Sequence, residues 1–482
     1  MKIVHQSSMK QQLPRLRPLT SPWMFNIMEN TQLQQELFDT YGSPINVHDL
    51  PSFVGNIKEY LEILDTYPFK SQIFFARKAN KFRNLINAAV NAGIGVDTAS
   101  YQELKQCLDL KVQADKLIST AAIKNNKLLE LAVQEGVLLI IDNQDELQQL
   151  LRVAKRLDTP AKIGIRVSGF AYQGKKLYSR FGFDIDTVEH TLHDFFRESG
   201  NKTYLQVEGL HFHLDGYSTA QRGHSIHQSL DLAMRLREQG FTVSFIDIGG
   251  GILMNYLASK NEWKTFQDTL QQALLDNHRP ITYNNDGLGY STRNGKVEGT
   301  LATYPYYNEN SKASFLRDIL ETPDAHSRTV AQRLHALKVE LRLEPGRSLL
   351  NQVGMTMARV AHRKVDATGT HLVGLEMNMS QMMSSSADFL LDPFVAFQAR
   401  DGAKPAVEVY FTGAYCLERD ILLKRKIALP QLPDIGDTIF FVNTAGYMMH
   451  FFETEAHLFQ RARNLALPQK KATYGLKDFE GE

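Results

Sequence analysis

Short apolar runs and amphipathic stripes alternate along the first three quarters of the chain. The runs occupy residues 72–76, 94–98, 116–120, 137–143, 162–167, 207–215, 241–248 and 337–343. Between them apolar residues recur at helical spacing, as in Phe82, Leu85, Ile86, Ala89 and Val90, or Leu128, Leu129, Ala132 and Val133. Such a stripe gives each helix one face to lay on a sheet. Strand and helix alternating eight times predict an α/β fold, a closed parallel (β/α)8 TIM barrel. A doubly wound open sheet has the same periodicity and is the alternative.

The pattern changes at both ends. Residues 1–40 hold no sustained period and are rich in Gln, so they read as a tail or a short covering arm. Beyond Val353 the helices stop, and 354–360, 370–377, 406–412 and 437–443 read as strands separated by Gly, Pro, Asn and Asp turns. The expected organisation is an arm (1–40), a barrel (41–350) and a C-terminal β-rich domain (351–482) on which the arm can also pack. Between Gly251 and Glu344 lie 92 residues, more than one helix requires. An insertion is therefore expected at about 255–335, either a lid beside the barrel mouth or a solvated excursion.

Composition narrows the partners. With 43% hydrophobic and 22% charged residues and a net charge of +1, the chain offers no basic field for nucleic acid or an anionic membrane. Small molecules are the expected ligands. Two cysteines, Cys107 and Cys416, imply no disulfide framework and point to a reducing compartment. No apolar run reaches membrane-spanning length and the start lacks a signal-peptide core, so a cytoplasmic protein is expected.

The unusual residues cluster by position. Lys78, Asp97, Arg166, His213, Gly249 to Gly251 and Glu344 all fall at or just beyond the carboxyl ends of predicted strands, where barrel enzymes keep their active sites. Lys78 closes the run Ile73-Phe74-Phe75-Ala76-Arg77. It is either a surface lysine or a Schiff-base lysine whose pKa apolar walls or nearby cations would lower. Gly249-Gly250-Gly251 either makes a turn or offers bare backbone N–H groups to a phosphate. In Glu344-Pro345-Gly346-Arg347 the carboxylate can hold a pyridine nitrogen protonated while Arg347 or the Gly346 N–H reaches a phosphate. A structural salt bridge is the plainer reading. Strand alternation puts His211 and His213 on one face, which raises a metal, but no Cys cluster or His-Glu helix motif completes such a site, and none is expected. His213 would suit stacking on an aromatic cofactor or be a satisfied buried histidine.

In order along the chain stand Lys-Ala-Asn at 78–80, Val96-Asp97-Thr98-Ala99-Ser100, Ser179-Arg180-Phe181-Gly182, His-Phe-His at 211–213, Asp-Ile-Gly-Gly-Gly at 247–251, Glu-Pro-Gly-Arg at 344–347, Gly413 through Cys416 to Asp420, and Ala445-Gly446-Tyr447. This set resembles the fold type III pyridoxal-phosphate decarboxylases, the diaminopimelate, ornithine and arginine decarboxylase group with alanine racemase as a barrel relative. The resemblance runs from about Leu37 to Phe452. It implies pyridoxal 5'-phosphate as cofactor, a Schiff base to Lys78, His213 stacked on the ring and Glu344 paired with the pyridine nitrogen. It also implies a phosphate held by Gly249, Gly250, Gly251, Gly346, Arg347 and Tyr447, with Asp97 and Arg166 in support. Cys416 would be the acid that reprotonates the substrate carbon, reaching the site from the second subunit of a homodimer. The implied activity is that of an amino-acid decarboxylase, a carbon-carbon lyase.

Two departures qualify that picture. Asp215-Gly216 stands where the family usually has Gly-Ser, so a phosphate-binding serine is missing and Ser218 is the nearest substitute. Leu417 follows Cys416 where the family usually places an acid for the substrate's far amine, which argues against simple diamino acids. Glu418 and Arg419 are the other substrate-facing candidates. The competing functions are a racemase or epimerase on the same cofactor, against which Cys416 and Glu344 weigh, and a pyridoxal-phosphate-binding protein without turnover.

Overall fold

The computed structural model describes residues 13–198, 200–276, 279–384, 387–398 and 405–481. Two helices open the described chain, Pro22–Met28 and Thr31–Tyr41, the second capped by Asn30, whose side chain accepts the Leu33 N–H at 3.0 Å. Residues 1–12 of the expected arm lie outside the described residues. The strand that follows, β1 (Ile45–Asp49), pairs with Gly354 to Met357 on one side and Arg463–Leu467 on the other. It thus lies in the second sheet, although the sequence pattern assigned everything from residue 41 to the barrel. Its partners are some three hundred or more residues away, and local periodicity carries no information about pairing at that range. Trp23, Met24, Ile27, Leu37 and Phe38 bury themselves with Ile45, Val47, Met355, Phe440 and Leu465, which fixes the two helices to that sheet.

The barrel strands are β2 (Ser71–Ala76), β3 (Gly95–Thr98), β4 (Leu117–Ser119), β5 (Leu138–Ile141), β6 (Ala161–Ser168), β7 (Leu205–His211), β8 (Phe245–Asp247) and β9 (Glu340–Leu343). All neighbours run parallel, and β7 pairs with both β8 and β6. That last pairing closes the ring and removes the open-sheet alternative, which would leave two free edges. Alternation along the strands separates two cores. Phe74, Ile118, Leu138, Ile140 and Phe245 fill the interior, while Phe75, Val96, Leu117, Leu139 and Ile163 face the helices. Glycines make room for the interior rings: a Cβ on Gly95 would lie 2.6 Å from the Phe74 ring and one on Gly209 2.5 Å from that of Phe245. Large residues against small ones are how a barrel this narrow fills its centre.

The C-terminal sheet is built on the long strand Gly354–Val365, flanked by β1, His371–Leu375 and Thr438–Val442, with Val407–Thr412 beyond His371–Leu375. The insertion before Glu344 is neither a free lid nor a solvated excursion. Its helix Lys260–Asp276 and the segment after it put Phe266, Leu270, Ile281, Leu288, Tyr304 and Tyr306 into one core with Leu375, Val409 and Phe441 of the second sheet. Backbone bonds reinforce the contact, with the Tyr283 N–H donating to the Lys424 carbonyl (2.7 Å) and the Lys426 N–H to that of Ile281 (2.9 Å). No helix among the described residues is long and apolar enough to cross a membrane.

Candidate active site

Parallel register gathers the chemistry at one end of the barrel. Ala76 lies opposite Asp97, and His211 lies opposite Arg166 on one side and Asp247 on the other. Lys78 follows in a single 3-10 turn, Arg77–Ala79, with Nζ 3.6 Å from Asp97 Oδ2. The other Asp97 oxygen accepts the Thr120 hydroxyl at 2.6 Å, which fixes the carboxylate. The lysine side chain is 37% exposed and Asp97 is fully buried, so the pair sits at the floor of an opening. Asn80 ties this turn to the second domain by donating to the Ala445 carbonyl at 3.0 Å.

The lysine's electrostatics reverse the expectation from sequence. Burial pushes the ammonium down, but Asp97, Tyr447 and Glu344 outweigh burial and hold the pKa above the ordinary lysine value, with Arg166 opposing them. Its surroundings are carboxylates rather than the apolar or cationic walls expected. The site as it stands therefore holds Lys78 as a cation paired with Asp97.

Beneath it lies a dry cluster of Glu344, Asp247 and His211, each at most 3% exposed, with one ligand atom of each within 4.8 Å of the others. His211 Nε2 is 3.1 Å from Glu344 Oε1. Burial, with the Asp97 charge next, lifts Glu344 to about 8; burial, with Glu344 next, lifts Asp247 to about 8; and burial drops His211 to about 3. Two like-charged carboxylates in so little water share protons rather than ionise together. Asp247 Oδ1 accepts the Gly249 N–H at 2.9 Å and so sets the start of the glycine loop. Asp247 Oδ2 is buried without a hydrogen-bond partner, while Glu344 Oε1 and Asp97 Oδ2 are met by the ion-pair contacts to His211 and Lys78.

The strand expected over 207–215 ends at His211, so the two histidines occupy different settings. His213 lies past the strand, its pKa lowered by burial and then by Lys78, Arg222 and Arg166. A Cβ on Gly249, whose φ is +65°, would stand 2.5 Å from His213 Nδ1, and one on Gly250 2.5 Å from the Glu344 carbonyl oxygen. The loop can thread between those two residues only without side chains. Gly346 is comparably close, its absent Cβ 2.9 Å from Ala79 and 3.1 Å from the Tyr447 hydroxyl. Tyr447 itself has a left-handed φ of 73°, held by its N–H bond to the Ala79 carbonyl (2.8 Å). Arg347 donates to the Gly446 carbonyl (3.2 Å) and lies 4.4 Å from the Tyr304 ring centre and 5.0 Å from that of Tyr447. Arg166 stacks on Phe181 at 4.1 Å with Asp142 Oδ1 3.7 Å from its Nη1. Ser218 Oγ is the N-cap of the helix Thr219–Glu238, accepting the Gln221 N–H at 3.2 Å.

Three contributors carried no signal the motifs would reveal: Arg222, buried beside Gly251; the insertion's Tyr304; and Tyr256, hydrogen-bonded to Arg347. Arg222 had a different signature, a charge on the apolar stripe shared with Ile226, Leu230 and Ala233. Cys416, Leu417, Glu418 and Arg419 are not brought to Lys78 within one chain. All four are exposed on a loop of the second domain, anchored where Asp420 accepts the Tyr415 and Met379 N–H groups, both at 2.7 Å. The loop borders a cavity of about 830 Å³ whose walls include Tyr283, Asn378 and Tyr415 and none of the barrel-mouth residues.

A barrel with a lysine, buried carboxylates and glycine loops at its strand ends, followed by a β domain, offers a site for a phosphate-bearing aldehyde. The sequence profile of the pyridoxal-dependent decarboxylases, pyridoxal binding domain, matches residues 54–285. An uncharacterized Sinorhizobium fredii protein, y4yA, is 28% identical over 87% of both chains, and a Campylobacter jejuni diaminopimelate decarboxylase is 30% identical over 49% of this chain and 58% of its own length. The Helicobacter pylori diaminopimelate decarboxylase solved with L-lysine superposes with a TM-score of 0.66 at 18% identity, covering 93% of this chain and 95% of that one. Over residues 54–285 the chain is thus similar to the pyridoxal binding domain of the pyridoxal-dependent decarboxylases, a likeness that points to pyridoxal 5'-phosphate as the cofactor. The residues present fit that group: a buried Glu344 carboxylate for a ring N–H, a lysine for the aldehyde, and a glycine cradle that any Cβ would fill.

Proposed function

We propose that the protein is an amino-acid decarboxylase that holds pyridoxal phosphate on Lys78. The observation that carries this reading is Lys78 Nζ at 3.6 Å from the buried Asp97, at the same barrel end as the buried Glu344 carboxylate and the glycine loop. Lys78, His213, Gly249 to Gly251, Gly346, Arg347 and Tyr447 would hold the cofactor, with Asp97 and Arg166 in support. When bound, it supplies an electron sink for the pair left as carbon dioxide departs. The Glu344 carboxylate would keep a proton on the pyridine nitrogen, with Asp247 and His211, whose Nε2 is 3.1 Å from Oε1, keeping Glu344 in place. Asp97 orients the Lys78 ammonium and favours its charged form.

The remaining part of the reaction needs a proton at the substrate's α-carbon. Cys416 Sγ of the partner subunit would deliver it in a homodimer with shared sites; the exposure of its loop supports this. Leu417, 44% exposed at the loop's tip, supports a substrate with an apolar or acidic side chain rather than the terminal ammonium of lysine or ornithine, and Arg419 would meet a carboxylate. The two unpaired cysteines suit a cytoplasmic enzyme. The test is to incubate the holoenzyme with a panel of D- and L-amino acids, following carbon dioxide release and chirality together. Release without racemisation supports the proposal; racemisation without release overturns it.

A further inference from the structure

Arg222 lies within the first turns of the helix Thr219–Glu238 and is 1% exposed. Its guanidinium makes one hydrogen bond, Nη2 to the Leu214 carbonyl at 3.1 Å, while Nε and Nη1 are buried with no partner. The exposed Asp215 acts on it only through space, and the nearest ring, Phe315, is centred 6.0 Å away. A buried cation left with two spare donors and no bonded anion is costly, and burial duly lowers its pKa to about 10. An arriving anion would relieve that cost, and the dry setting leaves the attraction unscreened.

The position says which anion. Gly251 rests against the guanidinium, so that a Cβ there would overlap Nη2. Gly251 is the last residue of the glycine loop after β8, the penultimate barrel strand, and loops after the last two strands are where barrels bind phosphate. The same helix directs its amino-terminal dipole to this side. The serine hydroxyl that Asp215-Gly216 lacks leaves the phosphate short of one donor; Ser218 Oγ is held at the helix N-cap, where it accepts the Gln221 N–H, and the Tyr217 ring packs against Tyr304.

We propose that Arg222 is a phosphate-binding residue for the cofactor, its buried charge and two free donors replacing the missing serine. This rests on the pyridoxal-phosphate reading above. The test uses the cofactor-free protein and measures, by absorbance and fluorescence, its affinity for pyridoxal 5'-phosphate and for pyridoxal, which lacks the phosphate. Arg222→Met should weaken pyridoxal phosphate binding roughly thirtyfold, as expected for loss of a charge-assisted contact, and leave pyridoxal binding unchanged. Arg222→Lys keeps the charge but not the paired donors and should lose about five- to tenfold of the phosphate preference; this variant decides the matter if Arg222→Met does not fold. Equal weakening of both ligands would assign Arg222 to the support of Leu214 and overturn the proposal, as would an unchanged preference in both variants. A wild type that binds no pyridoxal phosphate overturns the family reading and this inference with it, whereas wild-type preference retained in the variants overturns this inference alone.

Discussion

The barrel mouth and the Cys416 loop are built on opposite plans. At the mouth, Asp97, His211, Asp247 and Glu344 are buried on or beside neighbouring strands whose register fixes them, with Asp97 raising the pKa of Glu344, Glu344 that of Asp247, and Asp247 acting on His211. On the loop, Cys416, Leu417, Glu418 and Arg419 are all exposed, far from such a framework, and share a cavity with none of those groups. One region is complete within a chain and dry; the other is presented outward and needs a surface to close against. The difference teaches where each chemical task can be done. The low dielectric of the mouth makes its charges act strongly on one another, while the proton delivery we propose for Cys416 would need a second body that brings the loop in.

The sharpest way to break this comparison is to split the two regions between subunits. Lys78→Ala and Cys416→Ala should each abolish turnover, and mixing the two should restore about a quarter of the wild-type sites, because half of a randomly exchanged population is hybrid and each hybrid dimer has one intact site. Inactive mixtures in which mass spectrometry nevertheless finds hybrid dimers would show that each chain completes its own site. The next largest effect concerns what the loop rejects. Burying an unpaired ammonium against Leu417 should disfavour lysine, ornithine and diaminopimelate by roughly a thousandfold in kcat/KM. Efficient turnover of any of them, lost in Glu418→Ala, would mean that Glu418 rather than Leu417 faces the substrate.

At the mouth, Glu344→Gln should retain cofactor and lower kcat about a hundredfold, the usual worth of one transition-state electrostatic contact. Unchanged turnover removes Glu344 from the reaction. The smallest effect is on stability. Asp247 is raised from 3.8 to about 8, so its contribution is present below the lower value and is lost as pH rises through the upper one. The buried His48, His211 and His450, lowered to about 3, 3 and 4, act oppositely and lose their contribution as pH falls below 6.5. Comparing cofactor-free Asp247→Asn with wild type cancels His48 and His450, on which Asp247 does not act, while His211 and Glu344 are coupled to it. The wild type should lose melting temperature relative to the variant between about pH 4 and 8, and parallel melting curves would exclude the assignment.

The two regions also differ in how far sequence reveals them. Apolar runs ending on Lys78, Asp97, Arg166 and Glu344 announce a barrel with chemistry at its strand ends, because period and position are local properties. Phe74 and Phe245 could be read as strand residues, but not as the interior pair for which Gly95 and Gly209 make room. β1 was misplaced because its partners are remote in sequence. The protonation of Lys78 was read the wrong way, since the sign depends on which carboxylates lie beside it in space. Likewise Arg222 belongs to no motif. Its only trace is a charged residue on an apolar stripe, which gains meaning once Gly251 is seen to lie against it.

The central claim is that the lysine at the end of β2 carries the cofactor. Borohydride reduction of the purified holoenzyme, followed by peptide mapping, tests it directly. The label should appear on the peptide containing Lys78 and vanish in Lys78→Ala. A stable pyridoxyl label on any other lysine of the wild-type protein would contradict the account.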